Sequence, residues 1–296
     1  MSLQLAARKS FARAQYLFRR ISLSTKSSGV YLCNFGTANV ALDFSEPIHR
    51  FIYLQDGFEA EITSVLQKIV RSGDVFVDIG ANIGWHTLNL LVNRPDLSMA
   101  YAFEPLRRNF DLLIQGIRAN NCQDRCDARR LALSDTSGTV RLRKFKGMDL
   151  MHASIYPLGD LSFEEEEVIV DTLDSVADTF KAPPAVIKCD VEGAERSVLL
   201  GAHGVLSGQK GTPPIWFMEV NYETSAMADY FPWELAELAA RYGYTAHTIR
   251  KGQIVSVADR KGLRHGDMLV LAIPELHGSR LELAGWSNSK SATFLR

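Results

Sequence analysis

The stretch that decides the fold spans residues 74–104 and reads DVFVDIGANIGWHTLNLLVNRPDLSMAYAFE. Its apolar, β-branched run at 75–77 predicts a buried parallel strand. The segment DIGANIG at 78–84 predicts a tight turn, because glycine adopts positive φ freely and lets the backbone approach a ligand closely. Apolar residues at helical spacing follow, so the free N–H groups of the predicted helix point back toward a ligand site.

An acidic residue ends the second strand of this unit. Residues 100–103 form the predicted strand, and Glu104 comes directly after it. A carboxylate at this position can accept hydrogen bonds from both hydroxyls of a ribose. A glycine turn alone is a weak signal, but the turn together with Glu104 indicates a βαβ unit that binds a nucleoside.

The spacing of the glycines bears on which nucleoside is bound. The dinucleotide fingerprint requires G-x-G-x-x-G, whereas this turn has the order Gly80, Asn82, Gly84. Asp78 lies at the predicted strand tip, two residues before the first glycine. It suits a ligand with an amino group and a sulfonium better than a diphosphate, so we expect S-adenosylmethionine as the cofactor.

Three segments carry a resemblance to a known family. They are DIGANIG at 78–84, FEP at 103–105 with Asn109 and Phe110 after it, and IKCDVEGAE at 187–195. They resemble the signature blocks of the FkbM family of S-adenosylmethionine-dependent methyltransferases, in the family's order, and the likeness covers about residues 59–273. The resemblance implies the class I methyltransferase fold and, usually, methylation of a hydroxyl group. It does not supply the acceptor.

The cofactor residues follow from the turn, from the strand ends and from this resemblance. The adenine contact at the end of the third strand is placed by analogy with the fold, and the acid that many class I enzymes carry there comes slightly later, at Asp135. The residues expected to bind the cofactor are Asp78, Gly80, Ala81, Asn82, Gly84, Thr87, Glu104, Pro105, Asn109, Ala132, Leu133 and Asp190.

The predicted catalytic residues are carboxylates at adjacent strand ends. Methyl transfer is an in-line displacement, and a hydroxyl acceptor benefits from a base that takes its proton. Asp190 ends the fourth predicted strand, Glu192 follows two residues later, and Glu219 ends the fifth. Close carboxylates raise one another's pKa, so one of them is a candidate base. Alternatively, Asp190 orients the cofactor while Glu192 and Glu195 cap the next helix.

Two histidines are alternative bases, since histidine titrates near neutral pH. His86 lies on the helix after the glycine turn, and His152 lies in the segment 144–167. That segment interrupts the βα rhythm and predicts a lid, because long insertions in compact domains often cover binding sites. Its four consecutive glutamates, 164–167, predict a solvated turn.

Other functions receive less support from the residues. Asp190, Glu219 and Asn221 are oxygen ligands that suit Mg²⁺ and a diol acceptor, but Val220 separates the acid–asparagine pair that catechol-type enzymes keep contiguous, so no metal is assigned. Nucleic-acid methylation would call for an Asn/Asp-Pro-Pro-aromatic block or a Pro-Cys nucleophile, and neither occurs. A non-catalytic interaction protein with this fold would have no need to keep both the turn and Glu104.

The composition of the chain limits the possible partners, the state of the cysteines and the location of the protein. The chain has 296 residues, of which 46% are hydrophobic, and a net charge of -1. A near-neutral chain gives no general argument for a nucleic-acid partner. The four cysteines form no C-x-x-C pair, and no apolar run approaches the length of a membrane span. We therefore expect reduced thiols and a cytoplasmic protein.

The domain prediction has three parts. Residues 1–57 form a basic helix and a β-hairpin, residues 58–275 form the methyltransferase domain with a seven-stranded, doubly wound, Rossmann-like α/β sheet, and residues 276–296 form a tail. The first 42 residues carry six Lys and Arg and no acid. This basic segment docks on the domain or a second subunit, lies on an anionic membrane surface, or acts in targeting. The predicted function is O-methylation of a small molecule or saccharide; the acceptor and oligomeric state stay open.

Overall fold

The computed structural model describes residues 17, 19–23, 28–36, 38–145, 153–154 and 163–287. Residues 19–23 are helical. In chain order the strands are β1 Val30–Phe35, β2 Ala38–Asp43, β3 Val75–Ile79, β4 Met99–Phe103, β5 Cys126–Arg129, β6 Ala132–Ser134, β7 Gly138–Phe145, β8 Ala153–Ser154, β9 Phe163–Thr172, β10 Val186–Cys189, β11 Ile215–Val220, β12 Thr245–Arg250, β13 Gln253–Ser256 and β14 Asp267–Ala272.

Helices alternate with the strands of the central part. They are α1 Pro47–Gln55, α2 Ala60–Ile69, α3 Trp85–Asn93, α4 Arg107–Ala119, α5 Leu173–Ala177, α6 Glu195–Leu200, α7 His203–Ser207, α8 Tyr222–Met227, α9 Trp233–Ala240 and α10 Pro274–Leu281, with 3-10 turns at Gln123–Arg125, Arg260–Gly262 and Glu282–Ala284. In the described ranges, no helix combines the length and the apolar character that crossing a bilayer requires.

The main sheet has eight strands in the order β13-β12-β14-β11-β10-β3-β4-β5. The five strands from β11 to β5 run parallel, and β14 pairs antiparallel with both β11 and β12. The predicted doubly wound α/β class is confirmed, but the predicted count of seven strands is one short. The additional strand is β13, which pairs antiparallel with β12 at the edge of the sheet. Its four residues are too few to show a clear strand period.

A second sheet, in the order β6-β9-β7-β8, corrects two predictions. The single strand expected at 128–133 is split, because β5 belongs to the main sheet and β6 to the second one. The four glutamates at 164–167 lie on β9 and do not form a solvated turn. Arg143 lies opposite Glu165 on the neighbouring strand, and Arg143 Nε is 3.2 Å from Glu165 Oε1. The opposite charges of β7 allow the acidic run to form a strand.

Only part of the predicted lid, residues 144–167, lies within the described residues. Within 144–167, residues 153–154 form β8 and residues 163–167 begin β9. The residue proposed there as a base, His152, lies outside the described residues. The part of the lid that the structure describes therefore belongs to a sheet.

The amino-terminal hairpin β1–β2 packs on the central helices. Val40 and Leu42 of β2 belong to the same buried apolar cluster as Leu88 of α3 and Leu113 of α4. Asn120, at the end of α4, donates to the Asn39 carbonyl at 2.7 Å and accepts from the Asn39 N–H at 2.9 Å. The hairpin thus shares its core with the sheet. At the other terminus, residues 276–281 of the predicted tail belong to α10 and residues 282–284 form a 3-10 turn, with Leu281 fully buried.

Packing inside the protein requires both glycines of the turn after β3. Gly80 has a φ of 77°, and a Cβ at this position would lie 1.8 Å from the Asp190 carbonyl oxygen. Gly84 has a φ of 84°, and its Cβ would lie 2.4 Å from Leu113 Cδ1. The sequence suggested that these glycines make room for a ligand. The structure shows that they make room for the neighbouring strand end and for α4.

This packing predicts a large cost for Gly80→Ala. Positive φ alone costs a non-glycine residue about 1 kcal/mol, and the overlap with the Asp190 carbonyl oxygen adds to it. We expect Gly80→Ala to lower the free energy of unfolding by at least about 2 kcal/mol more than Gly73→Ala. Gly73 is the matched control, because its φ is 80° and a Cβ there would meet nothing within 4 Å. Urea denaturation measures both; equal losses would mean that only backbone strain matters.

Candidate active site

A cavity lies at the carboxyl ends of β3, β4 and β10, where parallel sheets of this kind bind ligands. Most of the residues predicted to bind a cofactor line it. The predicted residues in its wall are Gly80, Ala81, Asn82, Glu104, Pro105, Asn109, Ala132, Leu133 and Asp190. The other three, Asp78, Gly84 and Thr87, do not line the cavity. The strand ends and the glycine turn therefore meet at one site.

Glu104 is held rigidly in the cavity wall. Its side chain is buried, Oε2 accepts the Asn82 N–H at 2.9 Å, and Oε1 accepts the Leu106 N–H at 2.9 Å. Burial raises the pKa of Glu104 to about 7, although these hydrogen bonds oppose the shift. Each carboxyl oxygen keeps a further lone pair that can accept a ligand hydroxyl.

Asn82 offers a second polar group to a ligand. Its backbone has a φ of 51°, and it lines the cavity next to Glu104. The side-chain Oδ1 is buried, and no donor among the described residues reaches it. An unpaired buried acceptor in a cavity wall fits a ligand that carries a donor group.

Asp78 has a different place from the one expected. Thr87 Oγ1 donates a hydrogen bond to Asp78 Oδ2 at 2.6 Å, and both side chains are buried. Asp78 Oδ1 lies 4.0 Å from Lys188 Nζ. In this arrangement Asp78 lies behind the cavity wall, connects the strand end to α3 and faces Lys188, which lines the cavity.

Lys188 is the main site residue that the sequence analysis did not single out. Its side chain is 3% exposed, and Nζ donates to Asp190 Oδ2 at 2.9 Å. Burial alone would lower the pKa of Lys188, but the carboxylates of Asp190 and Asp78 raise it above its usual value. The lysine is therefore a permanent cation. A lysine inside the apolar strand AVIKC was the available signal, because buried lysines need a partner.

Three carboxyl groups meet beside this cation. Oxygen atoms of Asp190, Glu192 and Glu219 all lie within 4.8 Å of one another. Burial opposes ionisation of Asp190, but the Lys188 ammonium outweighs it and lowers the pKa of Asp190. Burial and then the charge of Asp190 raise the pKa of Glu219 well above its usual value. At neutral pH the pair thus consists of an ionised Asp190 and a protonated Glu219.

The two acids that follow β10 in the next turn, Glu192 and Glu195, have different surroundings. Glu195 Oε1 accepts the Val191 N–H at 3.0 Å, and Glu195 Oε2 accepts the Tyr230 hydroxyl at 2.7 Å. Glu195 therefore stabilises the turn before α6, but it does not cap that helix, whose N-cap Ala194 has no side-chain hydrogen bond. Glu192, with a φ of 53°, lines the cavity.

His86 has both ring nitrogens engaged. Nε2 lies 2.8 Å from Glu59 Oε2, and Nδ1 lies 3.1 Å from Thr63 Oγ1. Glu59 itself has a φ of 44°. No ring nitrogen is free in this arrangement to take a proton from an acceptor, so His86 is a poor candidate for the base.

The magnesium hypothesis loses one of its ligands. Asn221 Oδ1 accepts the N–H groups of Glu223 at 3.1 Å and Thr224 at 3.2 Å, as the N-cap of α8. Both lone pairs of this oxygen are used. The spacing of Asp190, Glu192 and Glu219 would still admit a divalent cation.

Comparison with known proteins identifies the family. Residues 78–245 match the Methyltransferase FkbM domain. The 31-O-demethyl-FK506 methyltransferase FkbM of Streptomyces tacrolimicus is 29% identical over 163 residues, covering 45% of this chain and 60% of that protein. The FkbM methyltransferase structure from Methylobacillus flagellatus KT aligns at 18% identity with a TM-score of 0.47, covering 75% of this chain and 52% of that one.

A further solved structure, TYW2 of M. jannaschii in complex with AdoMet, aligns at 12% identity with a TM-score of 0.41, covering 83% of this chain and 84% of that one. The chain spans less than two thirds of the length of either FkbM relative. The glycine turn, Glu104 and the strand end at Asp190 all lie inside the matched segment, which is more than half of the chain. Because this match spans more than half of the chain, the protein belongs to the FkbM methyltransferase family.

Proposed function

We propose that this methyltransferase transfers the methyl group of S-adenosylmethionine to a hydroxyl oxygen of a small molecule or saccharide. The observation that carries the proposal is one continuous cavity with the buried Glu104 in its wall and the Lys188–Asp190 pair in the same wall. The first group suits a ribose, and the second suits the removal of a proton. Oxygen as the acceptor atom is supported by the relative named 31-O-demethyl-FK506 methyltransferase.

The cofactor would be held by the residues of the Glu104 side. Glu104 would accept hydrogen bonds from the ribose hydroxyls, and Asn82 Oδ1 would accept one from a donor group of the cofactor. Ala132 and Leu133 would supply the apolar contact for the adenine ring. Asn109 also lines this side of the cavity. When bound, S-adenosylmethionine supplies an electrophilic methyl group on a sulfonium.

Asp190 is the proposed base. Lys188, whose Nζ donates to Asp190 Oδ2 at 2.9 Å, keeps it ionised, and the protonated Glu219 lies beside it. Asp190 would accept the proton of the acceptor hydroxyl as that oxygen takes the methyl group, while the methyl–sulfur bond breaks and S-adenosylhomocysteine is the leaving group. Glu192 lies close enough to orient the same hydroxyl.

We propose a reaction without a metal, because the Lys188 ammonium already balances the Asp190 charge at 2.9 Å. The magnesium-assisted alternative rests on the carboxylate spacing alone. Activity that is lost in EDTA and restored by Mg²⁺ would favour that alternative.

Removing the Glu104 carboxylate should weaken cofactor binding. We expect micromolar binding of S-adenosylmethionine and none of NAD in calorimetric titrations of the wild-type protein. Glu104→Ala should raise the Kd by about 10- to 100-fold, the usual effect of losing hydrogen bonds to a charged group. Asp111→Ala, an exposed acid on α4, is the control, and thermal melts verify folding. Failure of the wild-type protein to bind either ligand would refute the cofactor proposal.

The pKa of Glu104 predicts a pH dependence of that binding. Burial raises the pKa to about 7, so the ionised fraction falls as the pH decreases through neutrality. The ionised carboxylate is the stronger acceptor for two hydroxyls. We expect the Kd of S-adenosylmethionine to rise below about pH 7, approaching tenfold per pH unit. Glu104→Gln should bind weakly at every pH and lose this dependence; the same dependence in the variant would assign it to another group.

Asp190→Asn tests the base. It keeps the shape of the side chain and removes its capacity to accept a proton, so kcat should fall by about 10² to 10⁴ with little change in cofactor affinity. Formation of S-adenosylhomocysteine with a panel of sugars, phenols and alcohols measures the rate, and mass spectrometry identifies the product. Glu223→Gln is the control, because Glu223 is exposed after the adjacent strand end. A variant with the wild-type rate would exclude Asp190 as the base.

A further inference from the structure

Part of the cavity wall comes from outside the segment that matches the family. Helix α1 contributes Ile48, His49 and Ile52, and the loop after it contributes Phe58; the three apolar side chains of this set join Trp85 at the start of α3. We call Ile48, Ile52, Phe58 and Trp85 the apolar wall. We propose that the apolar wall is the acceptor subsite and that the acceptor carries its hydroxyl on an apolar scaffold. This inference rests on the proposed methyl transfer and specifies the class of its substrate.

The apolar wall adjoins the catalytic side of the cavity. Phe58 directly precedes Glu59, whose carboxylate lies 2.8 Å from His86 Nε2. Glu59 interacts electrostatically with Lys188, and His86 does so with Asp190. The loop that carries Phe58 is therefore close to the proposed base. The proposed adenine contacts come from β6, which belongs to the other sheet.

The loop before α2 is held firmly in an unusual conformation. Asp56, Gly57 and Glu59 have φ values of 58°, 148° and 44°. Arg19 forms an ion pair with Asp56, and the Glu59–His86 contact fixes the other end of the loop. Positive φ at non-glycine residues persists where the surroundings impose it, and such residues cluster at ligand-binding loops. Phe58 is thus preorganised at the cavity, where it stays partly exposed.

The indole of Trp85 adds one polar group to the apolar wall. Trp85 is 8% exposed, and its Nε1 is buried with no acceptor among the described residues. Its ring packs against Gly57, where a Cβ would lie 3.3 Å from Cζ2. A buried indole N–H normally finds a partner. An oxygen of the acceptor would supply it.

The apolar side chains of this wall favour one of two kinds of acceptor. A free sugar would place hydroxyl groups against Ile48, Ile52 and Phe58, which cannot hydrogen-bond through their side chains, and its desolvation would be uncompensated. A hydroxyl on an alkyl or aromatic scaffold would bury its apolar part there, which is favourable. The apolar wall therefore selects the second kind.

The test is calorimetric titration of the full-length protein, saturated with S-adenosylhomocysteine, with 4-ethyl-, 4-butyl- and 4-hexylphenol. Burying a methylene is worth about 0.8 kcal/mol, so the Kd should fall by up to about fourfold per added methylene. In Ile52→Ala/Phe58→Ala this factor should drop below about twofold. Phe51→Ala is the matched control, because Phe51 lies on the same helix and is 51% exposed. Trp85→Phe, which removes the N–H, should weaken the whole series equally.

Three results would overturn the inference. One is a Kd for the alkylphenols that does not change with alkyl length. The absence of any alkylphenol binding up to the solubility limit counts as the same result. Another is tighter binding of methyl β-D-glucopyranoside than of 4-hexylphenol. The third is a loss of S-adenosylmethionine affinity in Ile52→Ala/Phe58→Ala as large as in Glu104→Ala, since the apolar wall would then cover the cofactor. Failure of the proposed function is distinguishable, because it appears as absent S-adenosylmethionine binding in the wild-type protein.

Discussion

The ion pair between Lys188 and Asp190 is the interaction on which the site depends. Lys188 pairs in register with Asp78 on the neighbouring strand, so one buried ammonium faces a carboxylate on each side. Removing one partner of such a buried cluster leaves an uncompensated charge, which costs about 3–5 kcal/mol. The pairing of β3 with β10 and the ionisation of the proposed base are therefore linked through one lysine.

The same contact explains the tight geometry of the glycine turn. The Asp190 N–H donates to the Ile79 carbonyl at 3.0 Å, and the Asp190 carbonyl oxygen lies where a side chain at position 80 would begin. The turn and the carboxyl end of β10 are thus packed directly on each other. A ligand held by the turn is consequently brought to the carboxyl groups at the end of β10.

Environment gives the acids of the site different properties. Glu104 is buried without a cation, and its pKa rises to about 7. Asp190 is partly buried beside Lys188, and its pKa falls, while Glu219 beside it stays protonated. Groups of one chemical type that titrate far apart can take different roles in one reaction. Helix α1 and the loop after it complete the cavity from outside the family-matched segment, so the site combines a family core with a wall from the amino-terminal part of the chain.

The sequence by itself determined the elements whose signals are local. The glycine turn, Glu104 and the apolar strands each occupy a few consecutive residues, so the class of fold, the family and the predicted cofactor residues could be derived from them. Only the tertiary structure decided the partners that come from distant strands. It placed Lys188 between Asp78 and Asp190, used Asn221 as a helix cap, and turned the glutamates of β9 into a strand. Pairing across a sheet depends on contacts between segments far apart in the chain, and a local pattern does not specify them.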